Sequence, residues 1–315
     1  MINLDLYKKL KNSKPKTLNG KYFTEKIDFN FLKYFGIDQD NNPTFFFKLE
    51  EEIVNHFPIS LQNIRFIKNN EYKLQNNNKE ITETFSIIKC VSESPSLIEL
   101  FLETLFSRIQ EWEKNKQVNI NEDIEGFQKL FEKLQLTSIK TVKGLWGELF
   151  TIKNSKNINR LIEYWHVKKT QLFDFYAPPN IVEVKTTTEQ KRIHYLKLEQ
   201  CIFEKNMNGY LHSVMTIEKY DGWSCYDLYQ SINQKVYNRQ IKEKLEKVYF
   251  ETIGSNFEKF KEDKFCLKTA EENSLFFDLN LIPSPSKQIP KEVDQVKFRV
   301  DISNTPQCDF DLENI

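Results

Sequence analysis

The chain has 315 residues, 39% of them hydrophobic and 14% aromatic, with 26 phenylalanines, so its length and composition indicate a globular protein of one large domain or two modest ones. Its 45 basic and 45 acidic side chains cancel, so the net charge gives no support for DNA binding. Five widely spaced cysteines, at positions 90, 201, 225, 266 and 308, argue against both a disulfide framework and a structural zinc site.

Residues 1–125 carry the pattern of a β-rich module that ends in a helix. Strand-like runs at Thr44–Leu49, Ile64–Ile67 and Phe85–Cys90 surround a polar loop at Gln75–Lys79. Ser94 as N-cap and Pro95 at the first helical position then predict a helix to about Lys116. This module contains no catalytic cluster, and we expect it to serve recognition or to cover the core.

A polar connection at Gln117–Glu125 predicts a domain boundary, followed by a core over residues 126–235. After a short helix at Gly126–Leu134, the run from Thr137 to about Lys153 predicts the first core helix, whose apolar arc has Glu148 at its margin. Gly144 and Gly147 on this helix permit close approach to a sheet. Glu148 therefore reaches inward, the alternative being an exposed acid beside the apolar stripe.

The stretch QLFDFYAPPNIVEVKTTT, from Gln171 to Thr188, predicts two buried strands that carry charged residues. Asp174 lies in the first strand, and the strand period of two places Glu183 and Lys185 on one face of the second. A charge in an apolar strand costs several kcal/mol unless it is paired or binds a metal. Two carboxylates and one ammonium are therefore expected to converge for a shared purpose.

Metal-assisted phosphodiester hydrolysis requires this set of groups. Mg²⁺ takes oxygen ligands, so Asp174, Glu183 and the backbone carbonyl of Val184 are the candidate metal ligands. Lys185 is the candidate to hold or deprotonate the attacking water and to offset charge on the phosphate, provided that its pKa is lowered.

The remaining segments predict further elements of a mixed α/β core. Arg160–Val167 is expected as the first core strand, Ile193–Leu198 as an extended segment, Leu198–Lys205 as a short helix and Tyr210–Ile217 as a strand. Residues 236–315 complete a helix over Tyr226–Phe250 and add strands on either side of a Pro-rich loop at Ile282–Pro290. The pattern leaves open whether these strands pack on the core or on the N-terminal module.

Asp174 followed by Glu183-Val184-Lys185 resembles the PD-(D/E)XK nuclease superfamily. With Gly144-Leu145-Trp146-Gly147-Glu148-Leu149 upstream and His194 to Gln200 downstream, the chain more narrowly resembles a bacterial group called PD-(D/E)XK motif proteins, often encoded beside phage-defence or restriction genes. The resemblance is best from Thr137 to about Lys219, and Phe173 replaces the motif's proline. It implies a restriction-endonuclease-like α/β fold, with Glu148 as an assisting acid that can also contact metal and with Gln200 and His194 as secondary site candidates. A capped helix start for Gln200 and a packed strand position for His194 remain equal alternatives.

The triplet E-x-K alone carries little information in this chain, because Glu71-Tyr72-Lys73 and Glu262-Asp263-Lys264 match it in polar surroundings. Only Glu183-Val184-Lys185 has apolar flanks and a preceding acidic strand. The alternative interpretation is a pair of edge strands with a surface salt bridge between Lys185 and Asp174.

We therefore predict a cytoplasmic, Mg²⁺-dependent deoxyribonuclease with Mn²⁺ as a substitute ion, acting on DNA in restriction or anti-phage defence. Other defence proteins and a homodimer are the further partners considered, and no membrane partner is expected because no apolar run is long enough to span a bilayer. Lys191, Arg192 and Lys197 are candidates to neutralise phosphates. The alternative function is a non-cleaving nucleic-acid-binding or scaffold subunit of a multi-protein defence complex.

Overall fold

A computed structural model of the chain describes residues 4–27, 29–76, 79–115, 117–136, 138, 140–167, 172–285, 293 and 295–315. Several predicted boundaries fall outside these residues, namely Lys116, Thr137, Gln171 and the end of the Pro-rich loop at 286–290. The chain divides into two compact units, Met1–Gln135 and Leu136–Ile315.

The first unit contains a closed barrel whose strands follow the order β1-β2-β3-β5-β4. Its elements are α1 (Leu4–Ser13), β1 (Tyr22–Lys26), β2 (Leu32–Ile37), β3 (Pro43–Phe47), α2 (Glu51–Asn55), β4 (Ile64–Asn76) and β5 (Lys79–Cys90). Neighbouring strands are antiparallel except β1 and β4, which close the barrel in parallel at Tyr22↔Leu74 and Phe23↔Gln75. Gln75 and Lys79, the ends of the predicted polar loop, are strand residues.

Aromatic side chains on the two sides of β3 explain why every residue of this strand is buried. Phe46 joins an apolar cluster with Tyr72 and Phe85, which meet its ring edge-on at 5.6 and 5.8 Å between centroids. Phe45 and Phe47 point the other way, as the strand period requires. They contact Phe101 and Trp112 of the next helix, with ring centroids 5.7 and 6.1 Å apart.

Two helices complete this unit, α3 (Pro95–Lys114) and α4 (Ile120–Lys133). Ser94 caps α3 by accepting a hydrogen bond from the Leu97 amide, as predicted. Asn119 caps α4 in the same way, so the helix begins earlier than Gly126 and the predicted boundary after residue 125 falls inside it. Asp123 joins the two helices, since its carboxylate pairs with Arg108 and accepts the indole N–H of Trp112 at 2.6 Å.

The second unit is built on a mixed sheet in the order β12-β9-β7-β6. Its strands are β6 (Phe175–Ala177), β7 (Asn180–Thr187), β8 (Ile193–Lys197), β9 (Asn208–Met215), β10 (Glu218–Ser224), β11 (Lys264–Phe265), β12 (Ser274–Asp278) and β13 (Lys297–Asp301). β7 and β9 run parallel, while β6 and β12 add antiparallel edges. The predicted mixed α/β architecture is confirmed.

The helices of this unit are α5 (Val142–Asn154), α6 (Ile158–Tyr164), α7 (Cys225–Asn233), α8 (Arg239–Ile253), α9 (Phe257–Glu262) and α10 (Leu267–Asn273). α5 lies against the face of β7 that carries Val184 and Thr186, at the close approach provided by Gly147. An apolar cluster including Ile181, Leu196 and Val300 covers the opposite face. Because β13 pairs with β8, these two strands form a ribbon on that face.

Two predicted elements of this unit are wrong. Arg160–Val167 is largely helical rather than a strand, because Asn157 caps α6 and turns Leu161 and Ile162 inward, leaving only Trp165 in a bridge to Phe175. The single helix predicted over Tyr226–Phe250 is divided into α7 and α8, since Asn238 starts a new helix by accepting from the Ile241 amide. The C-terminal strands join this unit through β9 and β8.

Candidate active site

Asp174 lies directly before β6, and both its side chain and its backbone carbonyl accept hydrogen bonds from backbone amides. Its Oδ2 accepts the Val184 amide N–H at 2.9 Å, and its backbone carbonyl accepts the His166 amide at 3.0 Å. The residue is only 6% exposed. The carboxylate is therefore held against β7 at the position where the two predicted site residues of that strand lie.

Glu183 and Lys185 of β7 form an ion pair, as their shared strand face allows. Their register partners on β9 are Leu211 and Ser213. Burial and the nearby Asp174 carboxylate raise the pKa of Glu183 to about 7. Burial lowers the pKa of Lys185, but the charges of Glu183 and Asp174 outweigh it and raise the pKa above its ordinary value.

Glu148 of α5 points inward and is almost completely buried, at 2% exposure. Its Oε1 contacts the Lys140 ammonium, and its Oε2 accepts the Trp165 indole N–H at 2.9 Å and lies 2.8 Å from His166 Nε2. Burial raises the pKa of Glu148, but Lys140 and His166 outweigh it and hold the pKa well below its usual range. The acid is therefore a carboxylate in a network of donors.

The donor set at this edge of the sheet fits a divalent cation. Glu148, His166 and Asp174 each offer a ligand atom, and these atoms lie within 4.8 Å of one another. Carboxylate oxygens suit Mg²⁺ and Mn²⁺, and an imidazole nitrogen is better tolerated by Mn²⁺. Glu183 is not in this group of described residues, because its carboxylate turns to Lys185. The Val184 amide contacts Asp174, while the role of its carbonyl stays a prediction.

The comparison with protein families shows which family the chain belongs to. A family model described as "Putative PD-(D/E)XK family member" (DUF4420) matches residues 4–303. The chain belongs to this family. No curated protein and no solved structure matches it. Family membership indicates a nuclease-type function, and nucleases of this superfamily usually use divalent metals.

The position of the superfamily's named proline is held by Phe173, which the sequence already showed to be a departure from the motif. Phe173 is buried in the apolar cluster on the Ile181 face of the sheet, and its ring meets Phe203 edge-on at 6.3 Å. Where the motif has a proline, Phe173 therefore contributes to hydrophobic packing directly beside Asp174.

Sequence reasoning missed Lys140 and His166, which complete the network. Lys140 Nζ lies 2.7 Å from Asp174 Oδ1 and 3.1 Å from His166 Nε2. Lys140 lies in the stretch before the Thr141 N-cap, where no periodic pattern indicates a functional residue. His166 follows α6 with a φ of 45°, a left-handed turn that the predicted strand excluded. Recognising the Asn157 cap would have placed a turn, and not a strand, at His166.

Gln200 and His194 have contacts that match their structural alternatives. Gln200 Oε1 accepts the Lys197 amide at 2.9 Å at the start of a short 3-10 helix, and its Nε2 donates to the Leu172 carbonyl at 3.2 Å. His194 Nε2 lies 2.8 Å from Ser213 Oγ, and burial lowers its pKa to about 4. Contacts of either residue with phosphate or with a metal-bound water stay predictions.

Arg192 is placed differently from the surface position predicted for a phosphate contact. It is buried, its Nη1 donates to the Ser213 carbonyl at 2.8 Å, and its Nη2 donates to the Asn273 carbonyl at 2.6 Å. The prediction failed because a basic residue in a loop was assumed to be exposed, whereas this guanidinium ties the start of β8 to the sheet.

No helix among the described residues is both long and apolar enough to cross a membrane.

Proposed function

We propose that the protein is a metal-dependent endonuclease that hydrolyses DNA phosphodiester bonds in restriction or anti-phage defence, with Mg²⁺ as the ion and Mn²⁺ as its substitute. One observation carries the proposal. Asp174 contacts Lys140 of the Glu148 network through Oδ1 and the backbone of the Glu183-Val184-Lys185 strand through Oδ2. Three carboxylates from different segments of the chain thus lie close together, those of Glu148, Asp174 and Glu183. They lie beside Lys185, the candidate catalytic lysine.

The metal, when bound, would polarise the phosphate and activate a water. Glu148, His166 and Asp174 would hold the metal. Glu183 would provide a further carboxylate beside them, on β7. Buried hydrogen bonds from Trp165 and Val184 orient the two central carboxylates, so little reorganisation is needed when they bind a cation.

Lys185 is assigned a charge-stabilising role. A general base must lose its proton near neutral pH, but the neighbouring acids raise the pKa of this lysine. Its ammonium is suited to orient the attacking water and to offset negative charge that develops on the phosphate. Deprotonation of the water by Lys185 stays a prediction, because it requires a bound metal to offset the charges of Glu183 and Asp174 that raise this pKa.

The ribbon of β8 and β13 supports a nucleic-acid substrate. Its outward face carries Tyr195, Lys197, Lys297 and Arg299, with Tyr195 paired opposite Arg299 and Lys197 opposite Lys297. Asp301 is the acid on the same face. We call these four residues, without Asp301, the ribbon face. Cations and an exposed aromatic ring are the groups that contact phosphates and stack on bases.

The ribbon lies on the same side of the sheet as Lys185. On its inner face, His194 contacts Ser213, which is the register partner of Lys185. Arg192, directly before the ribbon, contacts the same serine. The ribbon is therefore anchored on the side of the sheet that carries Lys185.

The test is cleavage of methylated and unmethylated plasmid and phage DNA by the purified chain with Mg²⁺ or Mn²⁺. Asp174→Ala and Lys185→Ala are compared with Lys259→Ala, which changes an exposed lysine of α9. We expect metal-dependent cutting by the wild type and the control, and none by the two site variants.

Cutting that persists in both site variants would reject the assigned site. If the wild type neither cuts DNA nor binds metal, the alternative of a scaffold subunit replaces the enzyme. Metal binding that is lost in Asp174→Ala without any cutting would point to a required partner, such as another defence protein or a second copy of the chain.

A further inference from the structure

Lys140 has an unusual position for a residue outside the recognised motif. It lies directly before the N-cap of α5, and its ammonium contacts Glu148 Oε1, Asp174 Oδ1 and His166 Nε2. One positive charge therefore touches each member of the candidate ligand set.

The other carboxylate oxygens of this set already have fixed donors. Glu148 Oε2 accepts the indole N–H of Trp165 at 2.9 Å, and Asp174 Oδ2 accepts the Val184 amide at 2.9 Å. Trp165 is fully buried and Val184 lies within β7, so neither donor moves readily. Oε1 and Oδ1 are left to bind a cation, and Lys140 holds both.

We propose that Lys140 is the internal counter-ion of the metal site, so that a divalent cation binds Glu148 and Asp174 only by displacing the Lys140 ammonium. The inference rests on the proposed metal-dependent function. It adds a residue that sets the affinity of the site for its ion and that links metal binding to the position of one side chain.

The structure allows this exchange without a change of fold. The Lys140 side chain is 25% exposed, in contrast to 2% for the side chain of Glu148. Four rotatable bonds lead from a loop position, so rotation of the side chain moves the ammonium toward solvent. A divalent cation at the same oxygens attracts both carboxylates more strongly than a monovalent ammonium at equal distance.

Lys185 does not compete in the same way. Its ion pair is with Glu183, whereas Lys140 forms ion pairs with Glu148 and Asp174. The charge of Asp174 acts on both lysines, but their ion-pair partners differ, so replacing Lys140 removes no ion pair of Lys185.

The experiment is a calorimetric titration of the full chain with Mn²⁺ alone, without DNA. Lys140→Met removes the charge and keeps the length of the side chain. Lys143→Met is the matched control, because Lys143 is an exposed residue of α5 whose Nζ lies 3.5 Å from Thr188 Oγ1, outside the ligand set. We expect Lys140→Met to bind Mn²⁺ on the order of tenfold more tightly than the wild type, within the usual range of coupling between sites. Lys143→Met should match the wild type.

Thermal melting in EDTA and in Mn²⁺ supplies a second readout. Lys140→Met should melt lower than the wild type in EDTA, because two buried carboxylates lose their counter-ion, and should gain more from Mn²⁺. If this variant does not fold in EDTA, Lys140→Gln, which keeps a donor for the carboxylates, should give the same direction of change in both measurements.

A Lys140→Met or Lys140→Gln chain that binds Mn²⁺ no more tightly than the wild type overturns the inference, and so does the absence of Mn²⁺ binding in all variants. If binding is lost in Asp174→Asn but is indifferent to Lys140, the counter-ion role fails while the metal site stands. If no DNA is cut but Lys140→Met binds Mn²⁺ more tightly, the counter-ion role stands, while cleavage of DNA by the chain without a partner is rejected.

Discussion

Gly147 of α5 and Thr186 of β7 lie so close together that a Cβ on Gly147 would be 1.9 Å from Thr186 Oγ1 and 3.3 Å from Val184 Cγ1. We expect Gly147→Ala to destabilise the protein by about 2–3 kcal/mol, because the overlap forces a shift of Thr186 or of the helix that carries Glu148 relative to β7. Thermal or urea unfolding measures the loss, and cleavage of DNA should fall as well.

Gly126→Ala provides the control for adding a methyl group to a helix. Its new Cβ in α4 would approach no atom closer than 3.9 Å, so it should stabilise by up to about 1 kcal/mol. Equal stability of wild type and Gly147→Ala would show that the close packing of α5 on β7 is wrong.

Trp165→Phe removes the indole N–H that fixes Glu148 Oε2 and keeps most of the ring. We expect a loss of about 1–3 kcal/mol in the free energy of unfolding, together with weaker Mn²⁺ binding, because a buried carboxylate oxygen loses its donor. Denaturation and calorimetric titration give the two values.

Trp112→Phe deletes an equivalent donor, the one to Asp123 in the first unit, and is the matched control. It should lower stability without changing Mn²⁺ affinity. If both tryptophan variants bind Mn²⁺ as the wild type does, Trp165 does not orient Glu148 for a metal.

Charge reversal on the ribbon face should weaken DNA binding. We expect Lys197→Glu and Arg299→Glu each to reduce affinity and to lower the dependence of log K on log salt by about one phosphate contact. Fluorescence anisotropy in EDTA, which prevents metal-dependent cutting, measures both quantities at several salt concentrations.

Lys259→Glu changes an exposed lysine of α9 and serves as the control, with affinity expected to stay near that of the wild type. Tyr195→Ala should cost about 1–3 kcal/mol on single-stranded DNA if the ring stacks on a base. Unchanged binding by all three ribbon variants would place the DNA elsewhere.

Because the pKa of His194 is lowered in the folded protein, we expect the protein to lose stability in acid. Burial, with the charges of Lys185 and Arg192, lowers its folded pKa to about 4 from an ordinary value of 6.5. The neutral ring therefore stabilises the fold above pH 6.5, and this contribution of up to about 3 kcal/mol is lost as the pH falls from 6.5 toward 4. Urea unfolding at pH 7, 6 and 5 should show a shallower decline for His194→Gln.

Part of the decline should remain in that variant, because burial also lowers the pKa of His212, to about 3. A pH profile of His194→Gln identical to that of the wild type, combined with loss of DNA cleavage at pH 7.5, would favour the catalytic role that the resemblance implied.

The parts of the site that sequence predicts are those that depend on local periodicity. A strand period of two places Glu183 and Lys185 on one face, and a helical wheel turns Glu148 inward, without knowledge of any distant contact. Lys140 and His166 lie in irregular segments, where only the tertiary fold decides which groups meet. The error at α6 has a similar cause. The apolar residues Leu161, Ile162 and Trp165 fit the buried face of either a strand or a helix, and only the Asn157 cap indicates the helix.

The residues assigned to the site, from Lys140 to Lys185, come from a single short stretch of a 315-residue chain. Contacts over such short sequence separations cost little loop-closure entropy, so the site can assemble early in folding. The barrel and the C-terminal strands contribute none of these residues. Substitutions in the barrel and the C-terminal strands would therefore leave every residue assigned to the site unchanged.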